Sequence, residues 1–281
     1  MSQRRYRITH TTTLTYSAPV VASHNEVRMT PVTEDGQATL ESRLRVRPMS
    51  WSHVYRDYWG THVTALEAQS PHESLEVESL SVVERSDVER SGAEMTWDDL
   101  RNETLTDRFY EYLVPSARTS VGEAVTQEFV AAVDGRSPRE AVELVCGLAH
   151  DRVAYAKGSS SVADGAQTAW DSRLGVCQDI THVAIAGLRA IGVPARYVSG
   201  YLCPRADLAV GETAEGESHA WLEWWDGDWF GADPTNLREV GLDHVIVGRG
   251  RDYQDVPPFK GVYQGQSTSS AEVKVSFQRR G

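Results

Sequence analysis

The chain has 281 residues, enough to bury one large or two modest cores, and its 40% hydrophobic and 24% charged residues are ordinary for a globular protein. A net charge of −12 without any basic cluster argues against nucleic-acid partners, and no apolar run approaches the ~18 residues of a membrane span. Three cysteines, odd in number and unclustered, fit neither a disulfide framework nor a paired-cysteine metal site.

The chain opens with MSQRRYRITHTTTL, where basic residues lead into alternation rather than an apolar signal core, so a first strand and a cytoplasmic location are expected. Tyr6, Ile8 and His10 alternate with Arg7 and Thr9, and Leu40, Leu44 and Val46 alternate with Arg43, Arg45 and Arg47. Turn signals at Asp35-Gly36, Gly60 and Ser70-Pro71 complete the pattern of an antiparallel β domain over residues 1–90. Residues 91–120 are acidic and weakly patterned and read as a connection.

From residue 121 the period changes. Ser137-Pro138-Arg139-Glu140 carries a capping box with proline in the first turn, followed by an apolar face of Ala141, Val142, Leu144, Val145, Leu148 and Ala149. Cys146 lies beside that face as packing. After Cys177, Ile180, Val183, Ala184, Ala186, Gly187, Leu188 and Ile191 predict a helix of nearly four turns, stopped by Gly192 and Pro194. Strands follow at 196–202, 218–225, 228–233 and 272–277. Residues 121–281 thus form an α+β core of helices packed on an antiparallel sheet.

Cys177 stands where that helix begins, just past Gly175. Unpaired backbone N–H groups and the helix dipole favour negative charge there, which suits a nucleophilic thiolate and the oxyanion it creates. A small hydrophobe at a helix end is the competing reading, and Asp179 reads as a helix-start residue. A nucleophilic cysteine needs an imidazole, and the imidazole needs an orienting partner.

The stretch ESHAWLEWWDGDWFGADPTN, residues 217–236, offers His219 and Asp233 on consecutive strands. A two-residue Asp226-Gly227 turn would face Asp233 away from His219. A three-residue loop of Trp225, Asp226 and Gly227 pairs Trp224 with Asp228 and sets His219 opposite Asp233; this second register is expected because only it joins the pair. His150 and His244 have no such context, and His182 is the reserve base. Of Trp221, Trp224, Trp225 and Trp229, about half are expected to line a cleft for an extended peptide.

The segment GVCQDITHVAIAGLRAIGVPARYVSGYL, then SHAW, then DPTN resembles the catalytic core of the transglutaminase-like superfamily, with cysteine, histidine and aspartate in the same order. RYRITHTTTLTYSAPVVASHNEVRMTP and GRGRDYQDVPPFKGVYQG are similar to the flanks of bacterial transglutaminase-like proteins of the candidate cysteine-protease type. The resemblance implies a papain-like fold, with Cys177 as nucleophile, His219 as general base and acid, and Asp233 as its orienter. Gln178 stands where the animal enzymes carry tryptophan, so Gln178 and Trp170 are candidate oxyanion donors and Trp221 a candidate cleft residue. No acidic calcium loop is visible, and neither a metal nor another cofactor is expected.

The expected function is cysteine-dependent acyl transfer on a peptide or protein substrate, at peptide or glutamine-type amide bonds through a thioester, with hydrolysis favoured. Amine transfer by a transglutaminase or peptide ligase is the alternative, and an inactive peptide-binding module on the same fold is a second. A metal site built on His219, Asp233 and another histidine is a third, weakened by the lack of a histidine pair at ligand spacing.

Overall fold

Alternation of buried and exposed side chains organises the first 86 residues into strands. The computed structural model describes residues 2–88, 90, 92, 94–159, 161 and 163–281. Its first strands are β1 (Gln3–Val20), β2 (Ala22–Val27), β3 (Gln37–Arg47), β4 (Trp51–Arg56), β5 (His62–Ala68) and β6 (His72–Ser86). From Leu75 to Arg85 every second residue of β6 is buried, the period-2 signature of a sheet with one face covered. β6 lies between β1 and β3, and β5 lies between β2 and β4, all antiparallel. Tyr16, Val20, Val27, Met29, Leu66, Leu75 and Val77 form one apolar cluster that joins the two sheets.

The connection contains three short helices, α1 (Trp97–Leu100), α2 (Glu103–Arg108) and α3 (Tyr110–Leu113). They were not legible as a periodic pattern because none is long enough to show one. The core adds α4 (Glu123–Ala132), α5 (Pro138–Arg152), β7 (Ala154–Tyr155), α6 (Ala166–Ser172), β8 (Leu174–Gly175) and α7 (Cys177–Ala190). The strands β9 (Ala195–Leu202), β10 (Thr213–Trp225), β11 (Trp229–Asp233), β12 (Arg238–Glu239), β13 (His244–Gly250), β14 (Phe259–Gln264) and β15 (Ser269–Arg279) follow.

The helix boundaries follow from end chemistry. Ser137 and Glu140 form the reciprocal capping box that starts α5. At the end of α7, Gly192 adopts φ +84°, while the Gly192 N–H donates to Arg189 O and the Val193 N–H to Leu188 O. This is a Schellman closure, which needs a residue free to enter the left-handed region. Every residue of α7 from Gln178 to Arg189 is buried, so α7 is the central helix, packed by α4, α5 and α6 and by β9 and β10. The Arg189 guanidinium donates to the carbonyls of Tyr112, Val114, Ala195 and Arg251 and to Thr119 Oγ1, clasping the end of the connection onto the helix.

The sequence boundary at residue 121 groups the chain's last strands with the core. In the structure β15 pairs with β1 from Tyr6↔Arg279 to Tyr16↔Ser269, and β14 pairs with β2. Both strands therefore cover edges left open by the first 86 residues, as unpaired sheet edges require. The strand β10 begins at Thr213, five residues before the strand expected at 218; its residues 213–216 pair with β15 and its residues 217–224 with β9. One strand thus runs from the N-terminal sheet into the core.

A buried ion network fixes that junction. Glu223 on β10 accepts from Arg196 Nε at 2.7 Å and from Arg249 Nε at 2.7 Å, and Arg249 Nη1 also donates to Glu34 Oε2 at 2.7 Å. Burial alone would raise the Glu223 pKa, but Arg249 and Arg196 outweigh it and pull the carboxyl down to about 2. A depressed carboxyl pKa contributes stability that is complete above its ordinary value near 4.5 and is lost as pH falls toward 2. Glu223→Ala, which strands Arg196 in the interior, is expected to lower the unfolding free energy by about 3–5 kcal/mol in urea titrations at pH 7. A loss below about 1 kcal/mol would show that the network is not structural.

Candidate active site

Cys177 is the first residue of α7, after Val176 in an extended conformation. The helix start is closed by Asp179, whose Oδ2 accepts the Val176 N–H at 2.8 Å, the helix-start role expected of it. A β-carbon on Gly175 would lie 2.7 Å from Asp179 Cβ and 3.0 Å from Val153 Cγ1, so only glycine lets the chain pass this close to its own cap. The chain before Cys177 is also held by the pairing of β8 with β7, and the N–H of Ala156, just past β7, donates to Gly175 O at 2.8 Å. Cys177 is half-buried, whereas Cys146 and Cys203 are buried. Burial pushes the Cys146 thiol up to about 12 and raises that of Cys203 as well.

His219 and Asp233 meet at 2.8 Å, Nε2 to Oδ2. The hairpin that joins them has neither register considered from the sequence. Trp225 pairs with Trp229 and Leu222 with Ala232, around a three-residue loop of Asp226, Gly227 and Asp228, with Gly227 at φ +78°. Asp226 is spent on the loop and its surroundings: its N–H donates to Asp228 O, and its carboxylate accepts from the Met95 N–H and from Arg139. This register sets Asp233 two residues along from the expected position opposite His219. A shift of two preserves the face, so the side chains still meet diagonally.

The carboxylate of Asp233 is wholly buried and fully partnered. Its Oδ1 accepts the N–H groups of Thr235 at 3.1 Å and Asn236 at 3.2 Å, the self-bonded turn that Asp-Pro-Thr-Asn encodes. Its Oδ2 accepts from His219, from Asn236 Nδ2 at 2.7 Å and from His244 Nε2 at 3.3 Å. Burial would raise its pKa, but these donors, His219 foremost, hold it far below the carboxylate range. On the His219 ring, burial disfavours the charge, yet the hydrogen bond with Asp233 and the nearby Cys177 sulfur outweigh it and lift the pKa to about 9. Stability from this raised pKa is complete below about 6.5 and is lost as pH rises through about 9.

The other predicted residues divide. Gln178 is buried in the first turn of α7, next to the cysteine. Trp170 is buried in α6 against Phe129, with the Arg152 guanidinium over its ring, so its indole serves the helical core. Trp221 is wholly buried and stacks on His219 at 6.0 Å, so it backs the histidine rather than lining a cleft. Trp225 and Trp229 pack on Phe109, and Trp224 is buried on Phe230. His182, the reserve base, is wholly buried, accepts the Tyr253 N–H at 3.2 Å and is held down to about 3 by burial.

Two histidines without sequence context do reach the site. His150 Nδ1 lies 3.2 Å from Pro234 O. His244 lies on β13, whose pairing with β9 carries it to Asp233; a pairing this distant leaves no local signal. His219, Asp233 and His244 are close enough to hold a metal ion by distance, with ligand atoms within 4.8 Å of one another. The Gly241 N–H, however, donates to His244 Nδ1 at 3.2 Å, which places the proton on Nε2 and turns an N–H, not a lone pair, toward Asp233. The trio is chemically a hydrogen-bonded relay.

Residues 6–84 match the Bacterial transglutaminase-like N-terminal region, and residues 123–234 match the Transglutaminase-like superfamily. An uncharacterized protein of Mycobacterium leprae is 40% identical over 275 residues, covering 98% of this chain and 99% of its own. One from Mycobacterium tuberculosis is 33% identical over 292 residues, covering 96% of this chain and 91% of its own. A protein-glutamine gamma-glutamyltransferase of Pseudomonas aeruginosa is 31% identical over 121 residues, 38% of this chain and 18% of that protein. A Cytophaga hutchinsonii structure described as a candidate cysteine protease shares the fold over 99% of both chains, with a TM-score of 0.76 at 20% identity.

Iodoacetamide at pH 7 is expected to label Cys177 at least ~10 times faster than Cys146 or Cys203, read by peptide mass mapping. Gly175→Ala should slow labelling of Cys177 while the protein stays folded by circular dichroism. Equal rates at the three thiols would remove the case for a special sulfur.

Proposed function

The chain belongs to the transglutaminase-like superfamily, and from that premise we propose that it is a cysteine-dependent acyl-transfer enzyme acting on peptide or glutamine-type amide bonds. The observation that carries the reading is one imidazole, His219, bound at Nε2 by a buried carboxylate, with the Cys177 sulfur at the start of α7 near enough to help hold its proton. With Nε2 held by Asp233, Nδ1 is the nitrogen that exchanges a proton with the thiol.

The chemistry follows from that arrangement. With the proton held on His219, Cys177 Sγ attacks the amide carbon as the thiolate, placing negative charge on the carbonyl oxygen. The first backbone N–H groups of α7 have no intrahelical carbonyl to serve and can receive that oxyanion. The His219 imidazolium then protonates the leaving nitrogen, the C–N bond breaks and a thioester remains. The neutral ring next takes a proton from the incoming nucleophile, which attacks the thioester and releases Cys177.

Water is the favoured acceptor. Cys177 is half-buried rather than enclosed, so water has access to the thioester, whereas amine transfer demands a site that admits the amine and excludes water. The Pseudomonas aeruginosa relative, named for glutamine acyl transfer, supports amine transfer as the second reading.

The test is mass spectrometry of glutamine-containing peptides incubated with the protein and a primary amine, with Cys177→Ala as control. Cleaved or deamidated peptide that disappears in the variant is the expected result. Amine-linked peptide would make the protein a transferase. Products equal with wild type and variant, or none alongside an unreactive Cys177, would favour a binding module. The rate of the wild-type reaction should fall as pH rises through about 9, because deprotonated His219 cannot protonate the leaving nitrogen.

A further inference from the structure

We infer that His244 is a positioning residue of this site, setting how strongly Asp233 holds the proton of His219; the consequence for rate takes the acyl-transfer reading as its premise. His244 is wholly buried, and its two ring nitrogens have different partners. The Gly241 N–H donates to Nδ1 at 3.2 Å, so the proton sits on Nε2, 3.3 Å from Asp233 Oδ2. Burial keeps the ring below its ordinary pKa against the pull of Asp233, consistent with a neutral donor. The charged and titratable groups that act most strongly on the two imidazoles include Asp233, Arg238, Cys177 and each other.

A neutral N–H on Oδ2 does something that a second cation could not. It withdraws charge from the oxygen that binds His219 without competing for the role of the titrating group. Oδ1 is fixed by two backbone N–H groups, so the donors on Oδ2 decide how much charge His219 meets. His244 also touches the site by packing. Its ring meets Trp221 edge-on at 5.1 Å, and Trp221 stacks on His219. Room for that indole comes from Gly200, where a β-carbon would lie 2.6 Å from Trp221 Cη2. The histidine on β13 thus fixes both the carboxylate and the ring behind the catalytic imidazole.

Removing the donor should concentrate charge on Oδ2, tighten its hold on the His219 proton and make the imidazolium a weaker acid toward the leaving nitrogen. His244→Phe keeps a ring beside Trp221 but loses the hydrogen bond; His244→Gln keeps an N–H donor. In nitrogen-15 NMR titrations His219 is expected to titrate at higher pH in H244F than in wild type, with H244Q returning close to wild type. The kcat of H244F should fall roughly tenfold with KM unchanged, the effect of losing one hydrogen bond to a charged group. An unchanged His219 titration in H244F, with only lower stability, would overturn the assignment. If H244F does not fold, wild type decides: across about pH 5 to 9 the His244 proton must stay on Nε2, and a proton on Nδ1 or a titrating His244 overturns it. Absence of turnover with the NMR shift intact would count against the acyl-transfer reading and leave His244's role standing.

Discussion

A carboxylate removed from water must have its lone pairs met or its charge answered, and Asp233 is removed completely. Its partners come from three places in the chain. The turn after β11 supplies two backbone N–H groups and the Asn236 amide, β10 supplies His219 and β13 supplies His244. None of these elements can move alone without leaving a buried charge short of a donor. The interactions that hold His219 in place are therefore the same ones that fix the hairpin and β13 relative to each other.

β10 carries that constraint outward. Successive residues of a strand point to opposite faces, so His219, Trp221 and Glu223 stand in one row, while Ala220, Leu222 and Trp224 form the other and join the helical core. The first row has a division of labour along its length. His219 meets the aspartate, Trp221 backs both histidines, and Glu223 is locked between Arg196 and Arg249. Because Arg249 also holds Glu34, the loop between β2 and β3 is tied to the strand that carries the histidine. The N-terminal sheets reach the same strand through β15. A strand anchored at both ends gives the imidazole little freedom to drift, which is what a proton-transferring group requires.

Local chemistry made much of this visible in the sequence. The capping box at Ser137, the glycine stop at Gly192 and the three-four spacing after Cys177 each depend on residues a few positions apart, and each places a helix end. The Asp-Pro-Thr-Asn turn is equally local. Long-range features were out of reach. The pairing of β15 with β1 joins the two ends of the chain, and His244 reaches Asp233 only because β13 lies beside β9. Trp170 shows a different limit. Its position before Cys177 says nothing about direction, and a large apolar ring turns into the helical core unless its indole is needed elsewhere.

The hairpin shows why a candidate site can be read from a sequence whose register is misjudged. Asp226, Gly227 and Asp228 form the loop, not Trp225, Asp226 and Gly227: Trp225 joins the ladder opposite Trp229, and its ring packs on Phe109 and Trp229. The ladder is therefore two residues away from the expected one. An error of two residues moves a side chain along the strand, whereas an error of one would have turned Asp233 to the opposite face, among the residues that pack on α7. Parity, rather than exact register, decides whether the carboxylate and imidazole can meet. The remaining offset is taken up by the diagonal reach between neighbouring strands, across which His219 Nε2 meets Asp233 Oδ2 at 2.8 Å.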